Sequence, residues 1–218
     1  MSFGTHTFGS GMEEGVTYNA GVIVSHATAT SDGTNAVPAP ATSWGSAIGA
    51  YSNVLAGTVI NHGDIEAVAS VELGYATAFG AYVTTGFESE VANAGRIFAN
   101  ATADNGNAFA VGSHAYALHQ TVTYNCDEYG CDWANPNVVV DGGDALTDNS
   151  GEIIATASAL GGVGYSYGAV VLGAFTASIT NSGVISAVTR ADDATAKGVV
   201  LRSASGAQLD NTGRILAG

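Results

Sequence analysis

Residues 149–188 read NSGEIIATASALGGVGYSYGAVVLGAFTASITNSGVISAV, and this stretch contains the same tripeptide twice. Asn-Ser-Gly begins at Asn149 and again at Asn181, which is 32 residues later, and the second residue after each glycine is isoleucine. Recurrence at a fixed interval of this length predicts a repeat architecture, in which each unit stacks on the next.

The wider pattern Asn-x-Gly-x-Ile extends the repeat over most of the chain. It occurs six times, starting at Asn19, Asn61, Asn93, Asn149, Asn181 and Asn211. A second landmark, a glycine inside a mixed apolar run, recurs at Gly49, Gly80, Gly112, Gly168 and Gly198. Together the two landmarks define a unit of 32 residues with two insertions, of about 11 residues near 31–44 and about 24 residues near 120–144.

Inside each unit the residues alternate with a period of two, which is typical of β-strands. Ile65, Ala67 and Ala69 share one face, and Glu66 and Val68 share the other. Three short strands per unit, each with one apolar face, require neighbours to bury that face. We therefore predict an all-β, right-handed parallel β-helix of about six turns, formed as one domain by residues 1–218. The alternative, a β-sandwich, gives no reason for the repeated motif.

Stacking places the repeated asparagines above one another at a corner of the coil. Their amides are then expected to form a hydrogen-bonded ladder along the stack. The glycine two positions later leaves room at the bend or supplies a positive φ. The residue after that glycine is expected to form an outward column, which consists of Val22, Asp64, Arg96, Glu152, Val184 and Arg214.

Charge and composition exclude several partners. The chain has 19 acidic and 5 basic residues, which gives a net charge of −14. Such a surface repels phosphate backbones and anionic lipids, so we predict no nucleic-acid partner and no direct membrane insertion.

The N-terminal residues show no signal-peptide pattern. The uncharged segment around 160–179 is broken by glycines, and we do not interpret it as a transmembrane span.

The repeats NHGDIEAVA, NAGRIFANA, NSGEIIATA, NSGVISAVT and NTGRILAG resemble the β-helical passenger regions of bacterial autotransporters and related secreted adhesins. The resemblance covers nearly the whole chain. It implies an extracellular or cell-surface protein with a structural or adhesive, non-catalytic role, whose partner is a glycan or protein on a host or neighbouring cell. No catalytic motif of any such family matches, so no catalytic, cofactor or metal residue is assigned.

The larger insertion holds the residues that we expect to be most specific. Cys126 and Cys131, in YNCDEYGCDW, are predicted to form a disulfide that closes a tight loop, with two free thiols as the alternative. Tyr124, Tyr129 and Trp133 are candidates for ligand contact, because an aromatic loop on a rigid scaffold is a common binding arrangement.

Acidic residues leave two further hypotheses open. A glycan-cleaving β-helix enzyme would use paired carboxylates, for which Asp192 with Asp193 or Asp64 with Glu66 are candidates. The acids around the larger insertion would suit calcium, although a solvated loop explains them more simply; they are Asp127, Glu128, Asp132, Asp141, Asp144 and Asp148.

The final repeat ends without a capping pattern. Its exposed strand edge predicts either a fragment of a longer protein or a subunit that self-associates head to tail into an extracellular filament.

Overall fold

The computed structural model describes residues 2–8, 14–29, 43–123, 126–127, 130–131 and 137–218. Within these ranges the fold is all-β, and we find no helix that is long and apolar enough to span a membrane. The strands are β1 (Ser2–Phe8), β2 (Glu14–Asn19), β3 (Val22–Ala29), β4 (Ser43–Asn61), β5 (Asp64–Asn93), β6 (Arg96–Ala117), β7 (His119–Thr123), β8 (Cys126–Asp127), β9 (Gly130–Cys131), β10 (Asn137–Gly142), β11 (Asp144–Asn149), β12 (Glu152–Ala159), β13 (Val163–Gly173), β14 (Thr176–Asn181), β15 (Val184–Arg190), β16 (Asp193–Arg202), β17 (Gly206–Asn211) and β18 (Arg214–Ala217).

The main sheet is parallel and solenoid-like, because each strand pairs with the equivalent strand of the neighbouring repeats. Its central path runs β17-β14-β11-β5-β6-β12-β15-β18. Asn61 is paired with Asn93, Asn93 with Asn149, and Asn149 with Asn181, so every repeat is aligned at the same residue. The predicted outward column is confirmed in the same register from Val22 to Arg214.

Both insertions leave this register intact. Ala29 pairs with Val71 and Ser43 with Gly74. Between these two pairs the chain has residues 30–42, whereas the next repeat has only residues 72–73. This gives 11 extra residues, as predicted. Ala117 pairs with Gly173 and Asp144 with Thr176, so residues 118–143 stand where the next repeat has only 174–175, which gives the predicted 24 extra residues.

The strands are longer than the sequence predicts. We expect three short strands in each unit, whereas β5 runs for 30 residues and β6 for 22 residues without interruption. The reason is that parallel pairing between neighbouring repeats continues through most of the bends. Residues 64–71 and 73–79 of β5, for example, pair with β6 on both sides of Glu72.

The core divides into two clusters with different side chains. One consists almost only of alanine, including Ala67, Ala99 and Ala155. The other combines alanine with larger isoleucine and valine side chains, including Ile97 and Ile153. Strand β12 shows how the sequence produces this arrangement, because its residues alternate strictly between exposed or half-buried and buried positions.

Candidate functional site

One bend of each stacked repeat, which we call a coil for short, is formed by the repeated asparagines, and we call this bend the asparagine corner. Each side chain donates from Nδ2 to Oδ1 of the next asparagine, at 2.8 Å for Asn19 to Asn61, for Asn61 to Asn93, for Asn93 to Asn149 and for Asn149 to Asn181. The last link, from Asn181 to Asn211, is 2.7 Å. The structure therefore contains the ladder that the repeat predicts.

The glycine of the asparagine corner is required for space. A Cβ atom on Gly95 would lie 2.1 Å from the carbonyl oxygen of Gly63, and one on Gly151 would lie 2.0 Å from that of Gly95. Neither glycine has a positive φ. Of the two explanations that the sequence allows, room for the stacked backbone is the one observed.

The second landmark glycine interrupts the pairing register, since Phe79 and Ala81 are paired with β6 and Gly80 is skipped, and we call this position the glycine corner. A Cβ atom on Gly80 would lie 2.3 Å from Cγ2 of Ile97 and 2.5 Å from the carbonyl oxygen of Gly112. Gly112 meets Ile153 in the same way, at 2.5 Å. The two motifs of the repeat are thus complementary, because the isoleucine of one coil occupies the space left by the glycine of the previous coil.

The glycine corner also changes which side chains face outward. Gly80 and Ala81 are consecutive and both buried, so the alternation of the strand shifts by one residue at this point. Phe79 and Tyr82, three residues apart, would lie on opposite faces of a regular strand. Here both lie on the outside, with ring centroids 5.0 Å apart in an edge-to-face arrangement.

Repetition of this bend in successive coils produces an aromatic groove, which we define by Phe79, Tyr82, Phe109, His114 and Tyr167. The rings of Tyr82 and His114 stack at 4.7 Å with an interplanar angle of 7°, which matches the spacing of neighbouring strands. Phe109 lies 5.7 Å from Phe79 and 5.6 Å from Tyr167. The contacts join rings from three coils into one surface beside a cleft of about 370 Å³.

Two cations line the same cleft. Lys197 pairs with Tyr167 across neighbouring strands, and its Nζ lies 5.8 Å from the Tyr167 ring centroid. Arg202 contributes to this cleft and to an adjoining one of about 500 Å³, which Tyr116 and Leu118 also line. Among the described residues that line the two clefts, none is acidic. Two of the chain's five basic residues therefore lie beside aromatic side chains with no neighbouring carboxylate in the lining.

His114 is held neutral by its surroundings. Burial lowers the pKa of its imidazole from 6.5 to about 4, because the charged form would lose its hydration. Its Nδ1 atom is buried and has no hydrogen-bond partner among the residues that the structure describes. At neutral pH His114 therefore acts as an aromatic surface, stacked on Tyr82 and tilted against Tyr116, and adds no positive charge to the groove.

The chain matches no family model, no curated protein and no solved structure. The function is therefore argued from the site itself.

The structure describes only part of the larger insertion, which holds the predicted disulfide and the candidate ligand-contact residues. Strands β7 and β10 pair antiparallel, as do β8 and β9, so the insertion forms hairpins beside the parallel sheet. The backbones of Cys126 and Cys131 are direct partners in the second hairpin. Their side chains are outside the described part of the chain, and the disulfide stays a prediction. Tyr124, Tyr129 and Trp133 are outside it entirely.

The carboxylates that the sequence suggested for catalysis do not line the aromatic groove. Asp64 is exposed and Glu66 half-buried on the outer face of β5, and Asp192 and Asp193 are exposed at the start of β16. None of the four lines either cleft described above.

The acids considered for calcium are only partly described. The carboxylate of Asp144 accepts hydrogen bonds from the Thr176 hydroxyl at 2.6 Å and from the Thr176 backbone N–H at 3.2 Å. In the described ranges no three His, Cys, Asp or Glu side chains are grouped in a way that could hold a metal ion. The side chains of Asp127, Glu128, Asp132 and Asp141 lie outside those ranges.

Sequence analysis missed the aromatic groove, although a signal for it was present. When the repeats are aligned on the landmark glycine, the position just before it holds Phe79 and Tyr167, and the position two after it holds Tyr82 and His114. An aromatic column on each side of an invariant bend predicts contact across that bend. The missing knowledge was the shift in burial at the glycine, which brings the two columns to the same face.

Proposed function

We propose that the chain is a right-handed parallel β-helix of about six turns that serves as an adhesive region of an exported bacterial surface protein, similar in plan to autotransporter passengers. The parallel register of the repeats and the asparagine corner support this fold. A stack held by neighbour-to-neighbour contacts suits a rigid, extended display surface, because each coil needs only the coils next to it.

The aromatic groove is the observation that carries the adhesive role. Phe79, Tyr82, Phe109 and Tyr167 are half-buried on the outer face of ladder-paired strands, where packing of the core does not require large rings. Aromatic residues are enriched where proteins meet their partners, because they bury a large area at a small entropic cost. The second cleft continues the same surface and increases the area available to a ligand.

Binding without cleavage is the chemistry that the groove supports. Glycoside hydrolysis generally uses two carboxylates on either side of the scissile bond. The described residues that line the clefts are aromatic, aliphatic, small or basic, and none is acidic. We therefore assign no catalytic residue, no cofactor and no metal ligand to this site. The partner class is a glycan or protein on another cell surface.

Retention on an immobilised panel of glycans and surface proteins tests the proposal. The intact chain should be retained by at least one member of the panel, and the reducing-end content of every glycan should stay constant. Release of sugar would indicate a glycan-cleaving enzyme and contradict the proposal. Failure to bind any member, with a folded protein confirmed by its thermal transition, would also contradict it.

A further inference from the structure

We propose that the aromatic groove binds an acidic carbohydrate chain, in which the sugar rings pack on the aromatic side chains and the carboxylates meet Lys197 and Arg202. This inference rests on the adhesive function proposed above and names the class of its ligand. Three observations carry it, namely the local charge, the chemistry of the rings and the state of the backbone beneath them.

Local charge selects an anionic ligand. The whole chain carries −14, and a field of that sign repels anions from most of its surface. The groove differs because Lys197 and Arg202 both reach it, both are exposed, and no acidic side chain lines it within the described part of the chain. An arginine beside a cleft suits a carboxylate particularly well, since its guanidinium can donate two parallel hydrogen bonds.

Ring chemistry selects a ligand with apolar faces and a polar rim. Tyr82, Tyr116 and Tyr167 each combine an apolar ring with a hydroxyl, and Phe79 and Phe109 add apolar surface between them. Sugars have the matching character, because C–H groups lie on the ring faces and hydroxyls at the edges. Lys197 lies over Tyr167, so a single ligand unit could contact the ring and the cation together.

The backbone beneath the groove disfavours a peptide. Extended peptides usually bind by adding a strand to an open sheet edge, where unpaired backbone groups supply the hydrogen bonds. Strand β6 is paired on one side with β5 and on the other with β13, and β13 is paired with β6 and β16. The ligand must therefore be held by side chains alone, and rings, hydroxyls and cations are the groups present.

Calorimetric titration of the intact chain with three probes tests the ligand class. The probes are an oligomer of galacturonic acid, the same oligomer with its carboxylates methyl-esterified, and poly-glutamate of similar charge. We expect the acidic oligomer to bind, its affinity to fall as salt is added, and the ester to bind at least about tenfold more weakly. Equal binding of acid and ester, or equal binding of poly-glutamate, would overturn the proposal.

Matched variants locate the site. Lys197→Gln combined with Arg202→Gln should weaken binding of the acidic oligomer by about tenfold and flatten its salt dependence, whereas Arg190→Gln, at an exposed base outside the clefts, should not. Tyr167→Ala should weaken binding by roughly fivefold to tenfold. Tyr165→Ala is the control, because Tyr165 lies two residues away on the same outer face and does not line the groove. Unchanged affinity in the groove variants, with unchanged melting temperatures, would overturn the proposal.

Failure of this ligand-class proposal can be distinguished from failure of the proposed adhesive function. If the acidic oligomer does not bind but the surface panel retains the chain through another ligand, the ligand class is wrong and adhesion stands. If neither experiment detects binding, both proposals fail.

Discussion

The asparagine corner and the glycine corner turn the same chain by opposite means. At the first, a buried polar side chain such as Asn149 accepts one hydrogen bond from the previous asparagine and donates to the next asparagine and to two backbone carbonyls. At the second, the bend has no side chain, and the backbone packs directly against an isoleucine such as Ile153. The comparison indicates that stability depends on specific hydrogen bonds at one corner and on close packing at the other. Within the described ranges, the large aromatic surface lies outside the packed corner.

Breaking the asparagine ladder should produce the largest loss of stability. Asn149→Leu removes the four hydrogen bonds of this buried side chain and leaves Oδ1 of Asn181 without its donor. We expect a loss of about 4 kcal/mol in the free energy of unfolding, measured by urea denaturation. Thr156→Leu is the control, because Thr156 points outward and is half-buried, less exposed than the sequence predicts, and this change should cost less than about 1 kcal/mol. Equal stability of the two variants would contradict the role of the ladder.

Filling the glycine corner should be the next most damaging change. A Cβ atom on Gly112 would lie 2.5 Å from Cγ2 of Ile153 and 2.6 Å from the carbonyl oxygen of Gly168, so Gly112→Ala forces the coils apart. We expect a loss of about 3 kcal/mol. Gly206→Ala is the matched control, because its Cβ would meet nothing within 4 Å. If both alanine variants unfold at the same urea concentration, packing at this corner is looser than described.

Lowering the pH should reduce the free energy of unfolding through protonation of His114. Its pKa is about 4 in the folded state and 6.5 when unperturbed, so the unfolded chain takes up a proton first as the pH falls. The contribution of neutral His114 to stability is complete above pH 6.5 and is lost as the pH falls towards 4. At pH 5 we expect the loss to be about 2 kcal/mol relative to neutral pH.

His114→Phe keeps an aromatic ring in the stack and removes the proton-binding site. The stability of this variant relative to the wild type should therefore rise by about 2 kcal/mol between pH 7 and pH 5, measured by urea denaturation at both values. The other titrating groups are common to both proteins and cancel in the difference. A difference that does not change with pH would mean that His114 is protonated as easily in the folded state as in the unfolded state.

The smallest effect is expected away from both corners. Cys126 and Cys131 lie opposite each other in a hairpin that pairs outside the main parallel sheet. A disulfide there would stabilise its own loop, so reductant should shift the main thermal transition by less than about 2 °C. Thiol titration of the unfolded protein before and after reduction establishes whether the bond is present. Global unfolding on reduction would show that the hairpin supports the stack.

The asparagine corner was predictable from the sequence and the glycine corner was not, because the two corners depend on different properties of their residues. The asparagine corner depends on residue identity, so Asn93 and Asn149 were recognisable from the motif alone, together with their register. The glycine corner depends on a shift in burial between Gly80 and Ala81, which residue types do not encode. The grouping of Phe79 with Tyr82 was therefore not predicted.

The cations of the groove were missed for a related reason. Lys197 and Arg202 look scattered in the chain, and five bases are few. Stacking in register places Lys197 beside Tyr167, which in turn pairs with Val111 of the previous coil. The proximity of residues far apart in sequence thus follows from the fold, and alignment of the repeats on the glycine would have revealed it.

The preserved register around the larger insertion has a consequence for how the chain closes its loops during folding. Asn61 and Asn93 are 32 residues apart, whereas Asn93 and Asn149 are 56 apart, yet both pairs form the same hydrogen bond. Because closure entropy grows only with the logarithm of loop length, the longer connection adds about 0.5 kcal/mol to the cost of joining those coils. A change in the length of the hairpin insertion should therefore have little effect on folding, while the coils on either side keep their alignment.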